Sequence, residues 1–153
     1  MTTLLQIDES RLVEELERFF HRYDAEIKAA APLFELEGRR LEEIARSLPY
    51  HQSHYDQVAQ EAKQLTKWLE NGRAKIEARL TRNYLQGQRA YGARETTTLI
   101  AGEKEMVDHN QLLIEASLYY QRLDSIVKAF EQMGWMVGHI TKLRVAELNH
   151  VIL

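Results

Sequence analysis

Apolar residues recur every three or four positions through most of this chain, and that spacing is the strongest constraint on its fold. Such alternation is typical of amphipathic helices that pack along a coiled-coil-like seam. No segment shows the period-2 pattern of a strand, so the sequence predicts an all-α fold. The first run comprises Tyr55, Val58, Ala62, Leu65, Leu69, Gly72, Ile76 and Leu80. The second comprises Leu112, Ala116, Tyr119, Leu123, Ile126, Phe130 and Met133.

Proline and glycine positions suggest where the helices begin and end. The first helix is predicted at Glu9–Ala30 and a short helix near Arg39–Ser47. Pro49 is well placed to open a new, long helix that reaches Tyr84. A glycine-containing turn follows, and another long helix is predicted from about Glu103 until Gly134 ends it. The two long helices then form an antiparallel hairpin, with an extra N-terminal helix and a short C-terminal helix.

This pattern divides the chain into three parts. Residues 1–47 form an acidic helical extension, residues 48–133 form the hairpin with a basic tip, and residues 134–153 form the terminal helix. The broad apolar faces leave more surface than a monomer easily hides, so we expect a homo-oligomer. A closed monomeric bundle with the first helix as its lid is the alternative. The apolar positions of the terminal helix are Met136, Ile140, Leu143, Leu148 and Val151.

Several kinds of chemistry have no counterpart in the sequence. The chain contains no cysteine, which excludes disulfides and thiolate nucleophiles and suits a reducing cytoplasm. It carries neither a P-loop nor a dinucleotide-binding glycine motif, and its single Glu-x-x-His spacing, at Glu147 and His150, is too little for a di-iron site. No signal peptide or membrane-spanning run is recognisable. We therefore expect a protein that is not an enzyme and that uses no metal or cofactor.

Charge is distributed in blocks. The formal net charge is −3, yet residues 63–94 hold eight basic and two acidic residues, whereas residues 1–62 hold seven basic and thirteen acidic ones. The overall balance therefore hides a local positive region, and local potential is what attracts an anionic partner.

The basic residues follow one face of the predicted helix. Lys75, Arg79 and Arg82 are spaced i, i+4 and i+7, about a quarter-turn from the apolar seam, and Trp68 precedes them on the same face. The positive charge continues into the turn, where tyrosines accompany it. The resulting candidate nucleic-acid contacts are Lys67, Trp68, Lys75, Arg79, Arg82, Tyr84, Arg89, Tyr91 and Arg94.

A row of cations beside aromatic rings suits single-stranded nucleic acid. The cations replace counterions along the phosphate backbone, and the rings offer stacking platforms for unpaired bases. No base-reading motif accompanies the row, which favours binding without sequence preference. Two alternatives remain open: the row pairs with acids of a neighbouring subunit, or it is simply solvated.

Residues 48–148 resemble the UvsY-like recombination mediators of T-even-type tailed phages. The stretch "LPYHQSHYDQVAQEAKQL" is similar to the family's entry to its long helix, and "KWLENGRAKIEARL" to its basic helix. "LIAGEKEMVDHNQLLIEASLYYQRLDSIVKAF" is similar to the second helix, and "MGWMVGHITKLRVAEL" to the closing Gly-aromatic step and the terminal helix. Order and spacing carry the resemblance rather than any single motif.

The resemblance implies a ring-like homo-oligomer that assembles through its terminal helix. It implies binding to single-stranded DNA, displacement of the phage single-strand-binding protein and loading of a RecA-like (UvsX-like) recombinase, in the host cell cytoplasm. The family's DNA-contacting Lys-Ala-Arg step falls on Glu77, Ala78 and Arg79, so Arg79 matches and Glu77 reverses a charge. Lys75 and Arg82 can compensate. A helical scaffold that does not bind DNA and a general RNA-binding or annealing protein are the rival readings.

Overall fold

The described part of the chain consists of helices and short connections, with no strand. The computed structural model describes residues 7–87 and 89–151, with side chains up to residue 148. Within these residues there are four α-helices, α1 (Leu12–Ala30), α2 (Leu41–Leu85), α3 (Ala93–Gly102) and α4 (Lys104–Val151), and two short 3-10 helices at Glu9–Arg11 and Ala31–Phe34. The all-α prediction is confirmed.

The chain divides into two compact units. Residues 61–120 form one unit, here called the hairpin unit, which contains part of α2, all of α3 and the start of α4. Residues 7–60 and 121–151 belong to the other, here called the three-helix unit, which contains α1, the start of α2 and the rest of α4.

In the hairpin unit, α2 and α4 run antiparallel. The Lys63 ammonium lies 5.9 Å from the centroid of the Tyr120 ring. Further along α2, the Leu69 carbonyl accepts a hydrogen bond from His109 at 2.7 Å, and Arg79 pairs with Glu105. Contacts made by successively later residues of α2 therefore fall on successively earlier residues of α4, which is the pattern of an antiparallel pair. The buried residues are Ala62, Leu65, Leu69, Thr96, Ile100, Met106, His109 and Ala116.

In the three-helix unit, aromatic rings fill the core. The Phe130 ring on α4 is fully buried and lies 5.4 Å from the Tyr55 ring and 4.5 Å from the Phe34 ring, measured between centroids. The Tyr55 hydroxyl donates a hydrogen bond of 2.9 Å to the backbone carbonyl of Glu26 on α1. Tyr23 on α1 is also fully buried, and burial raises its pKa to about 12.

Several predicted helix boundaries are wrong. Pro49 lies inside α2, which begins eight residues earlier at Leu41, so it does not open the helix. Gly134 lies inside α4, so the predicted short C-terminal helix is the continuation of α4 rather than a separate element. The helix α3 was not predicted at all. In contrast, the predicted first helix agrees with the range covered by the first 3-10 helix and α1. The end predicted at Tyr84 and the start predicted at Glu103 each differ by one residue from the observed end of α2 and start of α4.

Within the described part of the chain, no helix has both the length and the apolar character needed to cross a membrane.

Candidate nucleic-acid interface

The predicted cationic row, Lys75, Arg79 and Arg82, lies along the second half of α2 in the hairpin unit. Lys67, Lys75, Arg79 and Arg82 are all exposed, and Trp68 is half-buried at the edge of the core. The reason is geometric: Leu65, Leu69 and Ile76 turn inwards, and residues on the flank of that seam face outwards on a 3.6-residue helix.

Several cations of this region are open to solvent, and three of them lie near the end of α2 and the start of α3. Lys75, Arg82 and Arg94 are exposed and form no ion pair with any described residue. Lys75 and Arg82 are seven residues apart, so their Cα atoms are separated by roughly 10 Å along the helix axis at ~1.5 Å per residue. These side chains are free to meet an external anion.

Arg79 is in a different position, because it already has an acidic partner. Its guanidinium forms an ion pair with Glu105, one residue after the start of α4. Both side chains stay about half exposed, at 53% and 51%. The pair is therefore accessible to water and to competing anions.

The turn after α2 is organised around two tyrosines. The Tyr84 hydroxyl donates a hydrogen bond to the Glu103 carboxylate, which raises the pKa of Tyr84. The Tyr91 ring stands edge-on to the Tyr84 ring, with centroids 5.7 Å apart. The Arg89 guanidinium lies 5.1 Å from the centroid of Tyr91 and 3.9 Å from a carboxylate oxygen of Glu95. The structure thus brings three of the candidate contacts, Tyr84, Arg89 and Tyr91, together.

Sequence reasoning missed the acidic residues of this region. Glu95, Glu103 and Glu105 follow the basic block along the chain, and the fold brings them back to it. The hairpin unit holds nine basic and eight acidic residues in total, so its net charge is only +1. The predicted hairpin itself was the available signal, since it places the start of the second helix opposite the end of the first.

The predicted oligomerisation residues lie in the three-helix unit, near the end of α4. Met136, Leu143 and Leu148 are exposed at 46%, 52% and 65%, and Ile140 is partly exposed. The side chain of Val151 is outside the described residues. From residue 138 to residue 148 every side-chain position other than Ile140 is exposed, so these turns of α4 are uncovered.

Metal binding by the described residues would need a cluster of ligand side chains. No group of three or more His, Asp or Glu side chains there is arranged to hold a metal ion. His109 is buried, but its Nε2 hydrogen bond to a backbone carbonyl gives it a structural role.

Searches against protein-family models, curated proteins and solved structures find no match for this chain.

Proposed function

We propose that this protein binds single-stranded DNA without sequence preference and acts as a recombination mediator rather than as an enzyme. The observation that carries the proposal is the open set of cations Lys75, Arg82 and Arg94 along the end of α2 and the start of α3, together with the Tyr84–Tyr91 pair at the turn between these helices. Cations supply affinity for phosphates, and aromatic rings supply stacking for unpaired bases. A duplex hides its bases, so the tyrosines favour the single strand.

Self-association is the second part of the proposal. Side chains on the last turns of α4 contact little else in the described chain, yet Met136, Ile140 and Leu143 form a continuous apolar stripe along one face. A helix of about a dozen residues is marginal on its own in water, so packing against other copies would stabilise it. Repeating the cationic row on each copy would add many weak contacts through high effective concentration.

The proposed role of this protein in recombination is based on its resemblance to the UvsY-like mediators. We propose that a ring-like assembly holds DNA in a form that a RecA-like recombinase accepts, while the phage single-strand-binding protein is displaced. The α4 stripe supports the assembly, and the open cations support the DNA contact. The contact surface for the recombinase stays unassigned.

A second function is favoured by a different observation. Val107, Ile114 and Leu118 form an apolar stripe on α4 of the hairpin unit, and they are exposed at 50%, 56% and 49%. Such a stripe is suited to packing against a helix of another protein. The alternative is therefore a helical scaffold that does not bind DNA.

Fluorescence anisotropy with labelled oligonucleotides across a salt series tests the proposal. We expect tighter binding to single-stranded than to double-stranded DNA, and a steep loss of affinity with salt. Replacing both Lys75 and Arg82 by alanine should weaken binding and lower the slope of log K against log salt by roughly 1.4, since each phosphate contact contributes about 0.7.

The matched control changes two exposed cations of the three-helix unit. Lys28→Ala with Arg46→Ala removes the same charge but leaves the cationic row intact. If this control loses as much affinity as Lys75→Ala with Arg82→Ala, binding is a diffuse charge effect and the assigned interface is wrong. If the wild-type protein shows no salt-dependent binding at all, the scaffold function is favoured. An RNA oligonucleotide of the same sequence distinguishes DNA from general nucleic-acid binding.

A further inference from the structure

We propose that Glu95, Glu103 and Glu105 are internal competitors that occupy the same hydrogen-bond donors as single-stranded DNA. The inference rests on the proposed DNA-binding function and concerns the regulation of that same interface. In the described structure, three of the predicted DNA-contacting side chains are engaged by carboxylates of the chain itself: Arg79 by Glu105, Tyr84 by Glu103 and Arg89 by Glu95.

The three carboxylates come from a short stretch of sequence. Glu95 lies in the first turn of α3, Glu103 between α3 and α4, and Glu105 in the first turn of α4. The return of the chain into α4 brings Glu103 and Glu105 to the end of α2. Glu95 lies six residues after its partner Arg89, in the turn region itself. A carboxylate and a phosphodiester are both oxyanions that accept hydrogen bonds from the same donors, so one can replace the other.

The contacts are accessible enough to exchange. The side chains of Arg79 and Glu105 are each about half exposed, and those of Arg89 and Glu95 are 75% and 52% exposed. Ion pairs at such exposure are weak, and the Arg89–Glu95 distance of 3.9 Å is long. A strand that is already anchored nearby can displace these carboxylates.

The open cations provide that anchor. Lys75, Arg82 and Arg94 have no acidic partner among the described residues, so DNA can meet them first. Displacement of the carboxylates then adds Arg79 and Arg89 to the contact. A mononucleotide has too few phosphates to bind both the open cations and the cations that the carboxylates occupy, so the competition favours long strands over short ones.

Arg89 links charge to stacking. Its guanidinium lies over the Tyr91 ring, 5.1 Å from the centroid, and so occupies a position where a base would stack. When Arg89 turns to a phosphate, that face of Tyr91 becomes free for a base. Displacement of Glu95 by a phosphate thus makes both the Arg89 guanidinium and one face of the Tyr91 ring available to DNA.

The test measures affinity for a labelled oligothymidylate by anisotropy at fixed moderate salt. Glu105→Gln removes the charge of the Arg79 partner with little change of shape, and we expect about 3- to 10-fold tighter binding. Glu95→Gln should have a similar effect through Arg89. The matched controls are Glu70→Gln and Asp108→Asn, which neutralise exposed acids of the same unit that pair with no described residue.

A double-mutant cycle separates competition from general charge. In an Arg79→Ala background the gain from Glu105→Gln should disappear, because the donor for which Glu105 competes is gone. If the gain persists in that background, or if the controls give the same gain, the inference is wrong while DNA binding itself stands. If neither the wild-type protein nor Glu105→Gln binds DNA, the proposed function fails and the inference fails with it.

Discussion

At the scale of single residues, a buried histidine fixes the contact between α2 and α4 in the hairpin unit. His109 is only 6% exposed, and its Nε2 lies 2.7 Å from the Leu69 carbonyl oxygen. A carbonyl can only accept a hydrogen bond, so Nε2 carries a proton and donates it. The imidazole ring also lies against Gly72, where an added Cβ would come within 3.0 Å of the ring carbon Cε1. The small residue makes room for the ring.

We predict that Gly72→Ala destabilises the protein, although alanine is favoured over glycine in a helix by about 1 kcal/mol. The new methyl group would press on a ring that is held by burial and by its hydrogen bond, at a cost of roughly 1–3 kcal/mol. In a His109→Ala background the clash is absent, so the same change should become stabilising. Urea unfolding of the wild-type protein, Gly72→Ala, His109→Ala and the double variant gives the sign of the change in unfolding free energy in each background.

Gly138→Ala provides the control for this experiment. Gly138 lies inside α4, and an added Cβ there meets nothing within 4 Å. The substitution should therefore stabilise the protein by up to about 1 kcal/mol through helix propensity alone. Equal effects of Gly72→Ala and Gly138→Ala would mean that His109 does not restrict position 72.

At the scale of helices, the sequence predicts those contacts that follow from periodicity. Tyr55, Leu65 and Leu69 are spaced as seam residues and are all buried. The helical seam could be recognised because every turn repeats the same apolar signal. The cationic row beside it was predictable for the same reason, since the seam fixes which flank of α2 faces outwards.

Helix ends were harder to predict, because single breaking residues were given too much weight. Pro49 costs about 3 kcal/mol inside a helix and glycine about 1 kcal/mol, and neither cost alone forces an end. Leu48, immediately before Pro49, is buried, and Gly134 lies close enough to Leu48 that its added Cβ would be 3.4 Å from a side-chain carbon. Packing on both sides of these positions outweighs the local penalty.

The acidic half of the candidate interface could not be read from local composition. Glu103 and Glu105 are about twenty residues or more from their partners Tyr84 and Arg79, and only the return of the chain brings them together. The helix α3 was missed because its sequence, with three consecutive threonines at 96–98, has weak helix propensity. Burial of Ile100 stabilises it instead.

Pro49 supplies a prediction about α2. It is exposed in the third turn of this helix, and it cannot donate the hydrogen bond that the Ala45 carbonyl would receive from the residue four positions later. Pro49→Ala should restore that bond and stabilise the protein by roughly 1–3 kcal/mol. A shift of the urea midpoint to higher concentration checks this. An unchanged or lower midpoint would mean that the proline is tolerated without cost at this position.

At the scale of the whole molecule, the uncovered end of α4 connects assembly with DNA affinity. If several copies pack through this helix, each bound strand meets several cationic rows, and the affinity of the assembly exceeds that of one copy. Disruption of the apolar stripe should therefore lower both the mass in solution and the affinity for long DNA. A purely monomeric protein would show neither effect.

We predict that Met136→Lys with Leu143→Lys converts the protein to a monomer of 17.9 kDa. The two residues are seven positions apart on one face of α4, and charges there would oppose packing of apolar stripes. The matched control is Val145→Lys, because Val145 is equally exposed, at 53%, but lies on the opposite face of the helix. Light scattering after gel filtration at micromolar concentration gives the mass.

The double variant should also bind a long oligonucleotide at least tenfold more weakly, whereas its affinity for a strand short enough to contact one copy should stay the same. If Val145→Lys dissociates the assembly equally well, or if the wild-type protein is already monomeric, the stripe is not the oligomerisation surface and the DNA contact must act from a single copy.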